Sequence, residues 1–301
     1  TVLRTKAPQM VAQRGDQYAL LGPLNHGSAQ VEFEETEVPS HLTAGVEALS
    51  RAGIGCVAGR WLVQGRPLAV LIDLTALRKR IPQIRQDFLN RHGLIADASD
   101  ELAGDALAFG EGSRIFLQAV QSALSDTPLI VHCHEWLAST ALPDLAAGDS
   151  CIRTIFTTHA TLLGRYMAGD LERAHEKFNT IDPKAQAEHY GIGFQHGVEC
   201  LAAQSATIFS TVSSTTAREC TALLGRTPEA LLPNGINTKR FEVIHEFQGL
   251  HQENKNRLHE FSRGYFFPSY EFDLDQTLYM VNSGRFEYRN KGMDLCLDAL
   301  S

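Results

Sequence analysis

The chain has 301 residues, 44% hydrophobic and 21% charged, enough apolar material to bury a sizeable core. Its formal net charge of −8 argues against a nucleic-acid surface, where Lys and Arg cluster, and against docking on an acidic membrane. An uncharged partner such as a polysaccharide is compatible with that balance.

In chain order, short apolar runs alternate with helical patterns, the reading expected of a parallel sheet covered by helices. The predicted strands are Tyr18 to Leu21, Gly55 to Val57, Leu68 to Leu74, Leu129 to His132, Ile152 to Thr157, Ala206 to Thr211 and Thr277 to Asn282. Several are continuous apolar runs that stop at a polar residue, as strands buried on both faces do. Helices are predicted over Leu42 to Ala52, Asp100 to Leu124, Gln195 to Gln204 and Thr215 to Leu224, and Thr180 to His196 reads as a surface excursion. A turn at Pro233-Asn234-Gly235 closes a first lobe, and a polar helical stretch follows from Phe241 to Arg263. The division expected is a lobe over 1–240, a helical connector over 241–272 and the start of a second α/β lobe over 273–301. The chain opens without an initiator Met and stops inside a helical pattern, so a piece of a longer protein is expected. The six cysteines include no C-x-x-C pair and read as buried free thiols. There is no signal peptide and no apolar run near roughly 18 residues, and a soluble cytoplasmic protein is expected.

Ligands of open parallel sheets bind outside the carboxyl ends of the strands. Four polar clusters fall there: His132 to Trp136, Thr157 to Arg165, Asn234-Gly235, and Gly284 to Gly292. In the last, Arg285 follows Ser283-Gly284, and Lys291 precedes Gly292 and a helix. Glycine lets backbone approach closely, a helix start offers free N–H groups, and Arg and Lys add positive charge, a combination that suits a diphosphate. A solvated basic loop is the plainer alternative. His159 taken alone reads as a structural histidine. His132 and His134 have no third partner at metal-ligand spacing, so no metal is expected. G-x-G-x-x-G, Walker and G-x-S-x-G patterns are absent, which counts against a dehydrogenase and an α/β hydrolase; no cofactor is expected.

T-I-F-T-T-H-A-T-L-L-G-R-Y (154–166), H-E-W (134–136), L-P-N-G-I-N (232–237), H-E-F-Q-G-L-H (245–251) and G-R-F-E-Y-R-N-K-G (284–292) together resemble the glycogen synthases of fungi and animals. The likeness runs nearly the whole length and is weaker between about Gly27 and Leu124. It implies an α/β fold of the glycosyltransferase B type, two facing Rossmann-like lobes with the active site between them, the first nearly complete here and the second only begun. The implied reaction moves glucose from UDP-glucose to the non-reducing end of glycogen or another α-1,4-glucan with retention of configuration. The alternatives are a retaining transferase using another nucleotide sugar and an inactive glucan-binding or regulatory paralogue. By the same resemblance His159, Arg165 and Asn234 would line the donor glucose pocket, and Arg285 and Lys291 would hold the diphosphate. Glu135 and Trp136 would sit near the cleft wall, and the catalytic glutamates would lie beyond Ser301. His245, Gln248, His251 and Lys255 match a segment that holds the activator glucose 6-phosphate in yeast and animal members. Gly249 stands where those have Asn, and an ordinary solvated helix is the equal alternative. The family often forms tetramers, so a homo-oligomer is compatible with the resemblance.

Overall fold

The computed structural model describes residues 2–94, 100–148, 151–170, 174–238, 244–284, 287–289 and 291–301. It divides into two compact units, Thr1–Asn234 and Gly235–Ser301.

The first unit holds two four-stranded sheets rather than one. In the first, β1 (Ala19–Pro23), β2 (Phe33–Glu35), β3 (Cys56–Trp61) and β4 (Leu68–Ile72) lie in the order β1-β4-β3-β2. The β1–β4 pair is parallel, but β3 runs antiparallel to both its neighbours. This corrects the expectation of parallel strands around residue 56. Six residues separate β3 from β4, with Gly65 and Arg66 at φ 89° and 41°. That is a hairpin connection, too short for the crossover that parallel strands need.

The second sheet, β5 (Leu129–His134), β6 (Ile152–Thr158), β7 (Ile208–Thr211) and β8 (Ala230–Leu231), is parallel throughout and in sequence order. Helices Gly193–Ser205 and Ser214–Leu224 make its later crossovers. Phe156 and Phe209 are register partners and stack at 5.6 Å inside its core. The predicted excursion over Thr180 to His196 is instead packed: helix Pro183–His189 is capped by Asp182, and Ala187, Ile192 and Phe194 are buried. Its polar residues are caps and outer-face positions of short helices, which composition alone does not separate from loop. The thiols of Cys133, Cys200 and Cys220 are pushed up to about 12 by burial and act as inert packing, whereas Cys296 is exposed.

The long helix Glu101–Leu124 starts at an Asp100 cap and buries Ala103, Gly104, Ala106, Ala108, Gly110 and Gly112. Of these, Gly112 lies against Ile72 of the first sheet, and helix Ser40–Arg51 approaches closely through its own Gly45. A Cβ on Gly45 would sit 2.5 Å from Phe116 Cδ2 and 2.8 Å from Val120 Cγ2. Gly45→Ala should therefore destabilise, although alanine is the better helix former by about 1 kcal/mol. The expected net loss is about 1–2 kcal/mol, read as a lower denaturant midpoint at unchanged slope; a midpoint at or above wild type would refute the tight crossing.

The second unit contains helices Ile244–Phe266 and Met293–Leu300. The predicted strand over Thr277 to Asn282 is not formed. Strand backbone must be paired, and among the described residues 235–301 there is no other strand to pair with it. The segment lies instead along the long helix: the Tyr279 hydroxyl donates to Ser262 Oγ at 3.3 Å and its ring sits 5.6 Å from that of His259. Among the described residues no helix is long and apolar enough to cross a membrane.

Candidate functional site

The parallel order of β5, β6 and β7 brings three polar strand ends side by side, and a chain of hydrogen bonds runs across them. Lys6, from helix Val2–Arg14, has its Nζ 3.3 Å from His132 Nδ1. His132 Nε2 is 2.7 Å from Thr157 Oγ1, which is 2.6 Å from Ser210 Oγ. Ser210 in turn donates to the Phe156 carbonyl at 3.2 Å. An ammonium can only donate, so Nδ1 of His132 accepts and Nε2 carries the hydrogen given to Thr157. Each hydroxyl then passes its hydrogen to the next acceptor. His132 stacks on His134 at 4.1 Å, and His134 Nδ1 reaches His159 Nε2 at 3.3 Å. Burial first, then the neighbouring cations, pushes His132 down to about 3 and His134 down to about 4, so both rings are neutral near pH 7. Burial also holds Lys6 below the usual lysine value.

Above this layer, Glu135 ends β5 with φ 63° and ψ 163°, a region that normally requires glycine. Its N–H donates to the Thr157 carbonyl at 2.9 Å, so the strained residue is tied to β6. Its Oε1 accepts from the His159 N–H at 3.3 Å and lies 3.5 Å from an Arg165 guanidinium nitrogen. Glu135, His159 and Arg165, separated by up to 30 residues, thus form one cluster. Trp136, one residue on, is 6% exposed and belongs to the main core, packing beneath the strand end. Asn234 is exposed beyond β8, on the same carboxyl-terminal side of the sheet.

Two buried carboxylates support the turn between β6 and helix Leu162–Asp170. Glu199 is fully buried and contacts Thr158 Oγ1 at 2.8 Å and the Leu162 N–H at 2.9 Å. Glu219 accepts from the Thr161 N–H at 2.8 Å and from the Thr161 hydroxyl. Burial pushes Glu199 up to about 7, against the pull of its hydrogen bonds, and raises Glu219 as well. Sequence reasoning missed Lys6 and both glutamates. The available signal was Glu199 standing as the lone charge in the run Gly193-Phe-Gln-His-Gly-Val-Glu-Cys-Leu-Ala-Ala.

In the second unit, Lys291 is exposed one residue before Gly292, which caps helix Met293–Leu300 at φ 66°. A Cβ on Gly284 would lie 3.6 Å from Lys291 Cγ, so the two ends of that loop are close. Arg285 lies outside the described residues. Gln248, His251 and Lys255 lie on helix Ile244–Phe266 at spacings of three and four, hence on one face; the His245 side chain lies outside the described set. Among the described residues no group of three or more His, Cys, Asp or Glu is arranged to hold a metal ion. A cavity of about 410 Å³ lined by Gln121, Ser125, Asp144 and Cys151 sits at the opposite, amino-terminal end of β6. It holds none of the groups clustered at the strand ends.

An open parallel sheet with polar and charged groups gathered at its carboxyl edge defines a ligand-binding α/β domain. The family model described as Glycogen synthase matches residues 1–301, and the chain belongs to that family. It is 41% identical to the glycogen [starch] synthase of Neurospora crassa over 303 residues, all of this chain and 43% of that one. It is 38% identical to isoform 1 of Saccharomyces cerevisiae over all of this chain and 44% of that one, and 35% identical to the liver enzyme of Mus musculus over all of this chain and 43% of that one. The chain therefore spans less than half the length of these relatives. A solved catalytic domain of starch synthase IV from Arabidopsis thaliana, bound to ADP and acarbose, overlaps 74% of this chain and 52% of its own at 14% identity and a TM-score of 0.33, too little to bear on fold or ligands.

Proposed function

We propose that this chain is part of a glycogen synthase that transfers glucose from UDP-glucose to the non-reducing end of an α-1,4-glucan with retention of configuration. The observation that carries the reading is the cluster of Glu135, His159 and Arg165 at the ends of β5 and β6, in a chain of this family. His159 and Arg165 offer N–H donors to sugar hydroxyls or phosphate, and Asn234 adds an amide on the same side of the sheet. In the second unit Lys291 stands beside the start of helix Met293–Leu300, where a diphosphate would meet free N–H groups, and by the family likeness Arg285 would be its partner. Their charges would offset the negative charge that builds on the leaving diphosphate as its bond to glucose breaks. The face of Gln248, His251 and Lys255 suits a sugar phosphate as effector.

The test is transfer of radiolabelled glucose from UDP-glucose to glycogen by the full-length enzyme. Arg285→Ala and Lys291→Ala should each lower turnover about tenfold or more, since charge-assisted phosphate contacts are worth about 1.5–3 kcal/mol. Near-normal kinetics in both variants would remove the diphosphate assignment, and no transfer by the unmutated enzyme would remove the reading itself.

A further inference from the structure

The turn that carries His159 rests on a carboxyl group that touches no solvent. Glu199 comes from helix Gly193–Ser205, 41 residues from Thr158, and its side chain is fully buried. Around it stand Glu219 and Cys220 from helix Ser214–Leu224, Glu135 from the end of β5, and Cys200 on its own helix. Among the described residues no cation pairs with it, and its two charged neighbours are acidic.

The hydrogen count at Thr158 then decides its state. Thr158 Oγ1 lies 2.8 Å from Glu199 Oε1 and 3.1 Å from the Ala160 carbonyl oxygen. The hydroxyl has one hydrogen, so an ionised Glu199 would compete with Ala160 for it and one acceptor would go without. A carboxylic acid removes the conflict. Its O–H donates to Thr158 Oγ1, the Thr158 hydrogen goes to Ala160, and the second oxygen accepts from the Leu162 N–H at 2.9 Å. Burial among acidic neighbours favours the same uncharged form. The carboxyl thus joins the last residue of β6 to the first residue of helix Leu162–Asp170. His159 lies between its two anchor points, and Arg165 lies one turn beyond the second.

We propose that Glu199 is a positioning residue, an uncharged acid that clasps Thr158 and Leu162 and so sets where His159 and Arg165 stand. The role deepens the reading given above, and its effect on transfer rests on that reading; its effect on the turn does not. Glutamine has the shape of the acid and can make the same two bonds, an N–H to Thr158 and a carbonyl for the Leu162 N–H, with one further N–H, whereas alanine leaves both buried partners unmatched.

The experiment compares Glu199→Gln, Glu199→Ala and Thr158→Val in the full-length protein by hydrogen exchange of the peptide over 158–165, with β4 as the reference region, and by kinetics with UDP-glucose and glycogen. Glu199→Gln should exchange and turn over within about twofold of wild type. Glu199→Ala and Thr158→Val should speed exchange of the turn about tenfold and raise the KM for the nucleotide sugar by a similar factor, with the KM for glycogen and the exchange of β4 unchanged. A role limited to stability would lower the active fraction and leave both KM values alone. If Glu199→Gln is as loose as Glu199→Ala, the uncharged-acid assignment is wrong. If Glu199→Ala keeps wild-type exchange and KM, Glu199 does not position the turn; should that variant not fold, the same result in Thr158→Val decides. If the wild-type enzyme does not transfer glucose, the functional reading fails, and the exchange comparison still settles the clasp.

Discussion

Arg165→Ala in the full-length enzyme is expected to lower kcat/KM for UDP-glucose by about 10- to 100-fold, the equivalent of one charge-assisted hydrogen bond of about 1.5–3 kcal/mol. Arg165 sits in the first turn of helix Leu162–Asp170 with its side chain 45% exposed, so its guanidinium is accessible from solvent. Glu135, its ion-pair partner among the described residues, is held in a backbone conformation that costs about 1–3 kcal/mol for a residue other than glycine. That strain directs a single carboxyl oxygen to both the His159 N–H and the Arg165 guanidinium. On the proposed reading, removing Arg165 takes away donors to the nucleotide sugar and also leaves the Glu135 carboxylate without its cation. Arg165→Lys should recover only part of the loss, because an ammonium cannot reproduce the planar fork. A change below about twofold in the alanine variant would place Arg165 outside the donor pocket.

Stability around the parallel sheet should fall steeply as pH drops from 7 to 5. His132 is pushed down to about 3, and His134 and His196 to about 4, each chiefly by burial, while the unfolded chain titrates these groups near 6.5. Below pH 6.5 the unfolded state therefore binds more protons than the folded one, and stability declines until pH approaches 4 to 3. Glu199 works in the opposite direction. Its carboxyl is raised to about 7, so its contribution is present below the unfolded value and is lost as pH rises through 7. Three histidines against the two raised carboxyls of Glu199 and Glu219 leave a net loss on acidification, and a fall in the thermal midpoint of roughly 5 °C between pH 7 and 5 is expected. His196, 5% exposed with its Nδ1 unpartnered, is the cleanest probe. His196→Gln should make the pH dependence shallower by one proton. A midpoint that stays flat or rises between pH 7 and 5 would mean the histidines are not buried in neutral form.

Much of this site could be read before any coordinates were known. Leu129 to Val131 and Ile155-Phe156 are apolar runs that end on a polar residue, and that pattern marks the carboxyl end of each strand, although β5 is only partly buried, with Ile130 66% exposed. The polar clusters that hold Glu135, His159 and Arg165 follow those ends, the family likeness assigns the three to a site, and the structure brings them together within 3.5 Å of Glu135 Oε1. The helix over Asp100 to Leu124 was equally legible, since its apolar periodicity is a property of neighbouring residues.

What depends on distant partners was not legible. Thr277 to Asn282 has strand composition and forms no strand, and β3 pairs antiparallel, because pairing is decided by which other segments are available and how they connect. Trp136 is in the core although it follows the exposed-looking His134-Glu135. Lys6 meets His132 across 126 residues, and Glu219 meets Thr161 across 58. Local pattern records how each residue suits its own helix or strand. The protonation of the histidines and of Glu199 comes from desolvation and from hydrogen bonds made across the fold, and only the packed tertiary structure supplies either.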